Sequence, residues 1–144
     1  MRPFVKNLKK EIEYTSALLS KTDYNIVGLY FGGGTPTTLS ASDLEDVINK
    51  CYESFDLSNL VEFTVEAGRP DTIDQEKLET LKKCGVTRIS INPQTMNDNI
   101  LKVIGRAHTV ADIYESFAIA RECGFDNINM DLIAGLDGES FEDF

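Results

Sequence analysis

Strand-like and helix-like patterns alternate along this chain from end to end, and that alternation restricts the folds open to it. Val5, Leu8, Ile12 and Leu19 fall on one helical face that ends near Lys21. Residues 26–31 read as a first strand. Ser40-x-x-Asp43 resembles a helix-capping box, and Leu44, Val47, Ile48, Cys51 and Phe55 follow at helical spacing. A second strand is expected at 61–66, where Val61, Phe63 and Val65 alternate with Glu62 and Thr64. Asp74 caps a third helix with Leu78 and Leu81 inward, closed by Gly85. Residues 88–92 read as a third strand, and 98–103 as a short helix stopped by Gly105. Thr109-x-x-Asp112 opens a longer helix with Val110, Ile113, Phe117 and Ala120 on one side, closed by Gly124. A fourth strand is expected at 127–133, and helical character begins again over 139–144. Strands separated by helices imply right-handed crossovers, so the fold class is α/β with a parallel sheet of about four strands and flanking helices.

The 144 residues suit one domain of ordinary globular composition, 42% hydrophobic and 26% charged. A formal net charge of −10 argues against nucleic acid and against anionic membrane surfaces, both of which select a basic face. The opening residues carry no signal-peptide core and no run approaches a membrane span, so a cytoplasmic protein is expected. Cys51, Cys84 and Cys123 are too far apart for a Cys-x-x-Cys pair and read as structural thiols. His108, the only histidine, precedes a helix cap and reads as a hydrogen-bonding loop residue. Tyr30 and Phe31 read as core, and Arg69 as solvated surface.

Candidate functional residues gather where the strands end. The first strand stops at Gly32-Gly33-Gly34-Thr35-Pro36, a bend that leaves main chain bare for close approach by a ligand. It matches neither a Walker loop nor a Gly-x-Gly-x-x-Gly fingerprint. The second strand ends in Glu66, the third in Asn92-Pro93-Gln94, and the fourth carries Asp131 towards its end. In parallel α/β sheets ligands bind outside the carboxyl ends of strands. Glu66 and Asp131 can accept from hydroxyls or an ammonium, and Gln94 can donate and accept. Arg106 can return to the rim as a bidentate partner for a carboxylate. The set suits a ligand with an amine, a carboxylate and a sugar.

Five stretches, 30–37 (YFGGGTPT), 64–71 (TVEAGRPD), 88–95 (RISINPQT), 104–108 (IGRAH) and 129–136 (NMDLIAGL), resemble radical S-adenosylmethionine (SAM) enzymes. Within that superfamily they resemble the oxygen-independent coproporphyrinogen III oxidase (dehydrogenase) group, over essentially the whole chain. The resemblance implies part of a (β/α)6 partial TIM barrel that holds SAM and a [4Fe–4S] cluster. It implies that backbone at Gly33, Gly34 and Thr35 meets the methionyl group, and that Glu66, Gln94, Arg106 and Asp131 hold SAM's polar groups. In the family the reduced cluster cleaves SAM to a 5′-deoxyadenosyl radical, which abstracts a propionate β-hydrogen from coproporphyrinogen III. Loss of carbon dioxide then leaves a vinyl group, so the implied substrate is a tetrapyrrole.

Two departures qualify the resemblance. No Cys-x-x-x-Cys-x-x-Cys loop is present, so the cluster belongs to a longer protein. Asp137 stands where relatives carry proline. Residues 1–144 are expected to be a single partial radical SAM domain, lacking the first strand with its cluster loop and the last strand. Such a segment is expected to be catalytically inactive alone, and either to self-associate through uncovered sheet edges or to be only marginally stable. Two rival functions are a haem-binding chaperone of the same superfamily and a nucleotide-binding α/β segment without radical chemistry.

Overall fold

The structure is a computed structural model that describes residues 2–141. Helix α1 spans Arg2–Leu19, strand β1 Gly28–Phe31, α2 Ala41–Ser54 and β2 Glu62–Glu66. They are followed by α3 Gln75–Lys83, β3 Arg88–Gln94, α4 Asp98–Val103, α5 Val110–Glu122 and β4 Asn127–Leu132. The four strands form one parallel sheet in the order β1-β2-β3-β4, each βα unit adding the next strand alongside the last.

Local chemistry sets the element ends. Ser40 accepts from Asp43 N–H at 3.1 Å, and Asp74 accepts from Lys77 N–H at 2.8 Å. At α5 the capping box is complete: Thr109 N–H donates to the Asp112 carboxylate at 2.7 Å, and Asp112 N–H donates to Thr109 Oγ1 at 3.3 Å. Gly85 closes α3 with φ +87°, a conformation that also fits close packing, since a Cβ there would stand 2.8 Å from Tyr52 Oη.

The register divides the sheet into two chemically opposite faces. Phe31 pairs with Val65, Val65 with Ile89 and Ile89 with Ile128, a continuous apolar row. One residue earlier, Tyr30 pairs with Thr64, Thr64 with Arg88 and Arg88 with Asn127; one residue later, Glu66 pairs with Ser90 and Ser90 with Asn129. Successive side chains point to opposite faces. Helices α1, α2, α3 and α5 cover the apolar face, and Val5, Leu44, Ile48, Phe63, Leu81 and Ala120 belong to the shared core. None of the described helices contributes to the hydrogen bonds among the polar side chains.

Two sequence expectations change. β3 runs on through Pro93 to Gln94 rather than ending at residue 92. Its pairing with β4 shifts register between Ile91 and Gln94, and proline's missing N–H accounts for the interrupted ladder. Tyr30 is 58% exposed and lies on the polar face, so it is not core, whereas Phe31 packs against the core. Half of the helical onset expected over 139–144 falls on residues 142–144, which lie outside the described residues; Glu139 to Phe141 are not helical.

Among the described residues both outer strands have a free edge flanked by an apolar cleft. Beside β1 a cleft of about 580 Å³ is lined by Phe4, Leu8, Leu29, Phe31 and Phe55. Near β4 a cleft of about 390 Å³ is lined by Pro93, Met96, Phe117, Met130 and Leu132. No described helix is long and apolar enough to cross a membrane.

Candidate functional site at the glycine bend and the polar sheet face

Gly33 and Gly34 turn the chain after β1 with φ of +80° and +59°, a region that L side chains rarely occupy. A Cβ on either would meet nothing within 4 Å, so the bend presents bare main chain to open space. Thr35 follows in extended conformation and precedes a 3-10 turn at Pro36–Thr38; its carbonyl accepts from Thr38 N–H at 3.0 Å. Glu66, the last residue of β2, reaches this bend: Gly33 N–H donates to its Oε2 at 3.3 Å. Tyr30 Oη donates to the other carboxylate oxygen at 2.5 Å. That hydrogen bond, then burial, then the charges of Glu66 and Asp131 hold the Tyr30 phenol above its ordinary pKa. Glu66 pairs with Ser90 and Ser90 with Asn129, and Asp131 lies two residues beyond Asn129, so it shares the face of Tyr30 and Glu66.

Asp131 is held from below. Asn129 Nδ2 donates to Asp131 Oδ1 at 2.9 Å and to Ser90 Oγ at 3.1 Å, and Ser90 Oγ donates to Asn92 Oδ1 at 3.0 Å. Arg88 Nη2 donates to Asn129 Oδ1 at 3.0 Å, and Arg88 Nη1 approaches Glu62 Oε2 at 3.4 Å. Arg88 is thus a half-buried tie between β2 and β4 in the floor of the polar face. By register Asn129 stands level with Glu66, so Asp131 stands one side-chain pair further along, about 7 Å at 3.3 Å per residue. Glu66 on β2 and Asp131 on β4 are also two strand spacings apart, roughly 10 Å, so a ligand touching both must run diagonally across β3.

Gln94, at the tip of β3, has φ +74° and is the one described non-glycine residue with positive φ. Such a conformation costs of order 1–3 kcal/mol and persists only where surrounding contacts fix it. Here Ile133 N–H donates to Gln94 O at 2.8 Å. Arg106 follows Gly105 after α4, half-buried, with no side-chain hydrogen bond or ion pair among the described residues. The structure therefore joins Glu66 to the glycine bend and sets Asp131 on the same face. It leaves Gln94 at the strand tip and Arg106 unlinked to either acid. The sequence reading takes Tyr30 as core, names Asn92 only as part of the end of β3, and gives Ser90 and Asn129 no role. The signal for Asn129 was present in the strict alternation of Asn127, Asn129 and Asp131 with Ile128, Met130 and Leu132.

His108 is 4% exposed, with Nε2 3.4 Å from Pro93 O, and supports the end of β3. Cys51 is buried and Cys84 and Cys123 half-buried, all free thiols, and burial pushes each up in pKa. Among the described residues no group of three histidine, cysteine, aspartate or glutamate side chains could hold a metal ion. These residues do not fit an iron–sulfur cluster. The open glycine bend facing a carboxylate does fit the amino-acid end of SAM, whose ammonium needs an acceptor and whose carboxylate needs N–H donors.

Comparison with known proteins agrees with this architecture. The Radical SAM superfamily matches residues 2–144. The oxygen-independent coproporphyrinogen-III oxidase-like protein HemZ of Bacillus subtilis is 45% identical over 142 residues, covering 98% of this chain and 28% of HemZ. The "Heme chaperone HemW" of the same organism is 41% identical over 142 residues, covering 96% of this chain and 36% of HemW. Among solved structures, coproporphyrinogen III oxidase (HemN) from Escherichia coli, a radical SAM enzyme, superposes with a TM-score of 0.86. The identity is 28%, over 99% of this chain and 32% of HemN. The archaeal Elp3 of Methanocaldococcus infernus shares the fold, with a TM-score of 0.74 at 21% identity over 94% of this chain and 36% of Elp3. The chain thus spans roughly a third of the length of these relatives, and over that span it belongs to the radical SAM superfamily.

Proposed function

We propose that this chain is the SAM-binding portion of a radical SAM oxidoreductase resembling oxygen-independent coproporphyrinogen III dehydrogenase, with a tetrapyrrole as the substrate class. The observation that carries the reading is the Glu66 carboxylate set against the open Gly33–Gly34 backbone. In this reading Glu66 accepts from the SAM ammonium, while main chain at Gly33, Gly34 and Thr35 lies along the methionyl group. Asp131, two strands across and one pair further along, accepts from the ribose hydroxyls. Gln94 and Arg106 take the remaining polar groups, Arg106 as a cation for the carboxylate. SAM, when bound, would supply the 5′-deoxyadenosyl group, and a reduced cluster held elsewhere in a longer protein would supply the electron; this chain's residues would bind and orient SAM. Titration with SAM tests the reading. Glu66→Ala is expected to weaken binding about ten- to hundredfold, the effect of losing one well-made polar contact worth roughly 1–3 kcal/mol. Unchanged affinity would remove Glu66 from the site.

A second reading, a haem-binding chaperone, is supported by the HemW relative at 41% identity, close to the HemZ figure. Haem binding without SAM binding would favour it, and binding of neither would leave a nucleotide-type α/β segment without radical chemistry. The free edges of β1 and β4 and their apolar clefts support self-association of the isolated chain through a second copy. Light scattering is expected to give a mass above 16.0 kDa that rises with concentration. A concentration-independent monomer would rule that out.

A further inference from the structure

The three consecutive glycines of the bend are not equivalent. Gly33 and Gly34 have positive φ, but Gly32 does not. A Cβ on Gly32 would stand 2.4 Å from Tyr30 Cε1, 3.0 Å from Tyr30 Cδ1 and 3.2 Å from Glu66 Cδ. Contacts below 3.0 Å to a ring carbon are not tolerated, so a side chain at 32 would evict the phenol. Gly32 is therefore a packing glycine whose function is to let the Tyr30 ring lie across the main chain. From there its hydroxyl reaches Glu66.

The ring gains little else from that position. Tyr30 is 58% exposed, on the face opposite the helices and the apolar core. An exposed aromatic ring held over a glycine by one hydrogen bond to a carboxylate contributes little burial. What it fixes is Glu66. With Tyr30 Oη on Oε1 and Gly33 N–H on Oε2, both oxygens have a donor, and the carboxylate cannot rotate without breaking one of them.

We propose that Tyr30 is a positioning residue for the SAM site: it holds the Glu66 carboxylate in the orientation that receives the ligand's ammonium, and Gly32 is required to admit it. The proposal rests on the SAM-binding reading above and adds to it a residue outside the set assigned to the ligand. Holding a carboxylate in its binding rotamer before the ligand arrives removes an ordering cost from association.

The test combines a titration that needs no ligand with a binding cycle. Carbon-13 NMR of ring-labelled tyrosines, with the Tyr30 signal assigned by its loss in Tyr30→Phe, follows the phenol across alkaline pH. Tyr30 is expected to ionise above the ordinary value of about 10, and to return towards it in Glu66→Gln and in Gly32→Ala. SAM affinity is expected to fall about three- to tenfold in Tyr30→Phe, the effect of one lost hydrogen bond, and not to fall further when Tyr30→Phe is added to Glu66→Gln. Both substitutions keep shape and lie on an exposed face, so the fold is retained; thermal unfolding verifies that. Equal losses from Tyr30→Phe in the wild-type and Glu66→Gln backgrounds overturn the proposal, as does a Tyr30 titration indifferent to Glu66→Gln. If no protein in the series binds SAM while Tyr30 still ionises late, the functional reading falls and the positioning role falls with it. The pairing itself is then left as architecture.

Discussion

Phe63→Ala is expected to destabilise the fold by about 3–5 kcal/mol, the range for deleting a fully buried phenylalanine, against a total of roughly 5–15 kcal/mol for a domain. The residue has no exposed surface and sits at the centre of the apolar face. Its ring meets Phe31 edge-on, 5.4 Å between centroids at 63°, so truncation opens a cavity and strips β1 of an aromatic partner. The backbone of Phe63 is tied to the start of β3: Thr87 Oγ1 accepts from Phe63 N–H at 2.9 Å, and Thr87 N–H donates to Phe63 O at 2.9 Å. The site therefore cannot collapse freely around a smaller side chain. Urea unfolding should show a large fall in midpoint with little change in slope. Val61→Ala, two residues earlier and 80% exposed, should stay within about 0.5 kcal/mol. Similar small effects for both would mean that the apolar sheet face is not the core.

Why these elements were readable before any coordinates, and where the reading stopped, follows from the range of the forces involved. Helix caps are local, so Ser40, Asp74 and Thr109 announced α2, α3 and α5 within a few residues. The parallel sheet followed from alternation of elements, since two consecutive strands joined by a helix have few other ways to pair. The end of β3 was misjudged because Pro93 signals a break in the ladder, which occurs, while the strand itself continues through a register shift made against β4. That shift depends on a partner 39 residues away and is not written in residues 88–94.

Tyr30 was misread for a related reason. An aromatic residue within an apolar run defaults to the core, yet period-two geometry sends Tyr30 and Phe31 to opposite sides of the sheet. Only the rows, Tyr30 with Thr64 and Thr64 with Arg88, Phe31 with Val65 and Val65 with Ile89, tell which side is which. The same rule recasts the candidate site. Strand ends suggested a rim; the register shows that Tyr30, Glu66, Ser90, Asn129 and Asp131 belong to a polar wall below it. Polar side chains on that wall bond to one another across β2, β3 and β4, from Glu62 through Arg88 and Asn129 to Asp131, with Arg88 Nε buried and left without a partner among the described residues. A wall wired in this way orients its acids before any ligand arrives, which is what a small-molecule site needs and what a surface chosen for solubility alone would not require.

Alkaline pH is expected to destabilise the fold through Cys51. The thiol lies on the buried stripe of α2, 4% exposed, and burial raises its pKa from 9.0 to about 11. Desolvation penalises the thiolate, so the folded chain keeps its proton after the unfolded chain has released it. The stabilisation is complete below pH 9, where both states are protonated, and is lost as pH rises from about 9 to about 11, where the unfolded state binds fewer protons. A shift of this size corresponds to at most about 2–3 kcal/mol, less in so far as the cleft beside β1, which Cys51 helps to line, lets water reach the thiolate. Cys84 and Cys123 are shifted in the same direction, so they add to the slope without changing its sign. Urea unfolding at pH 8, 9.5 and 11 measures the effect. Cys51→Ala should lower stability at every pH by leaving a small cavity, and should flatten the alkaline decline by the Cys51 share. Parallel declines in the two proteins would mean that the folded chain accommodates the thiolate at no cost, and that residue 51 is reachable by solvent through the β1 cleft.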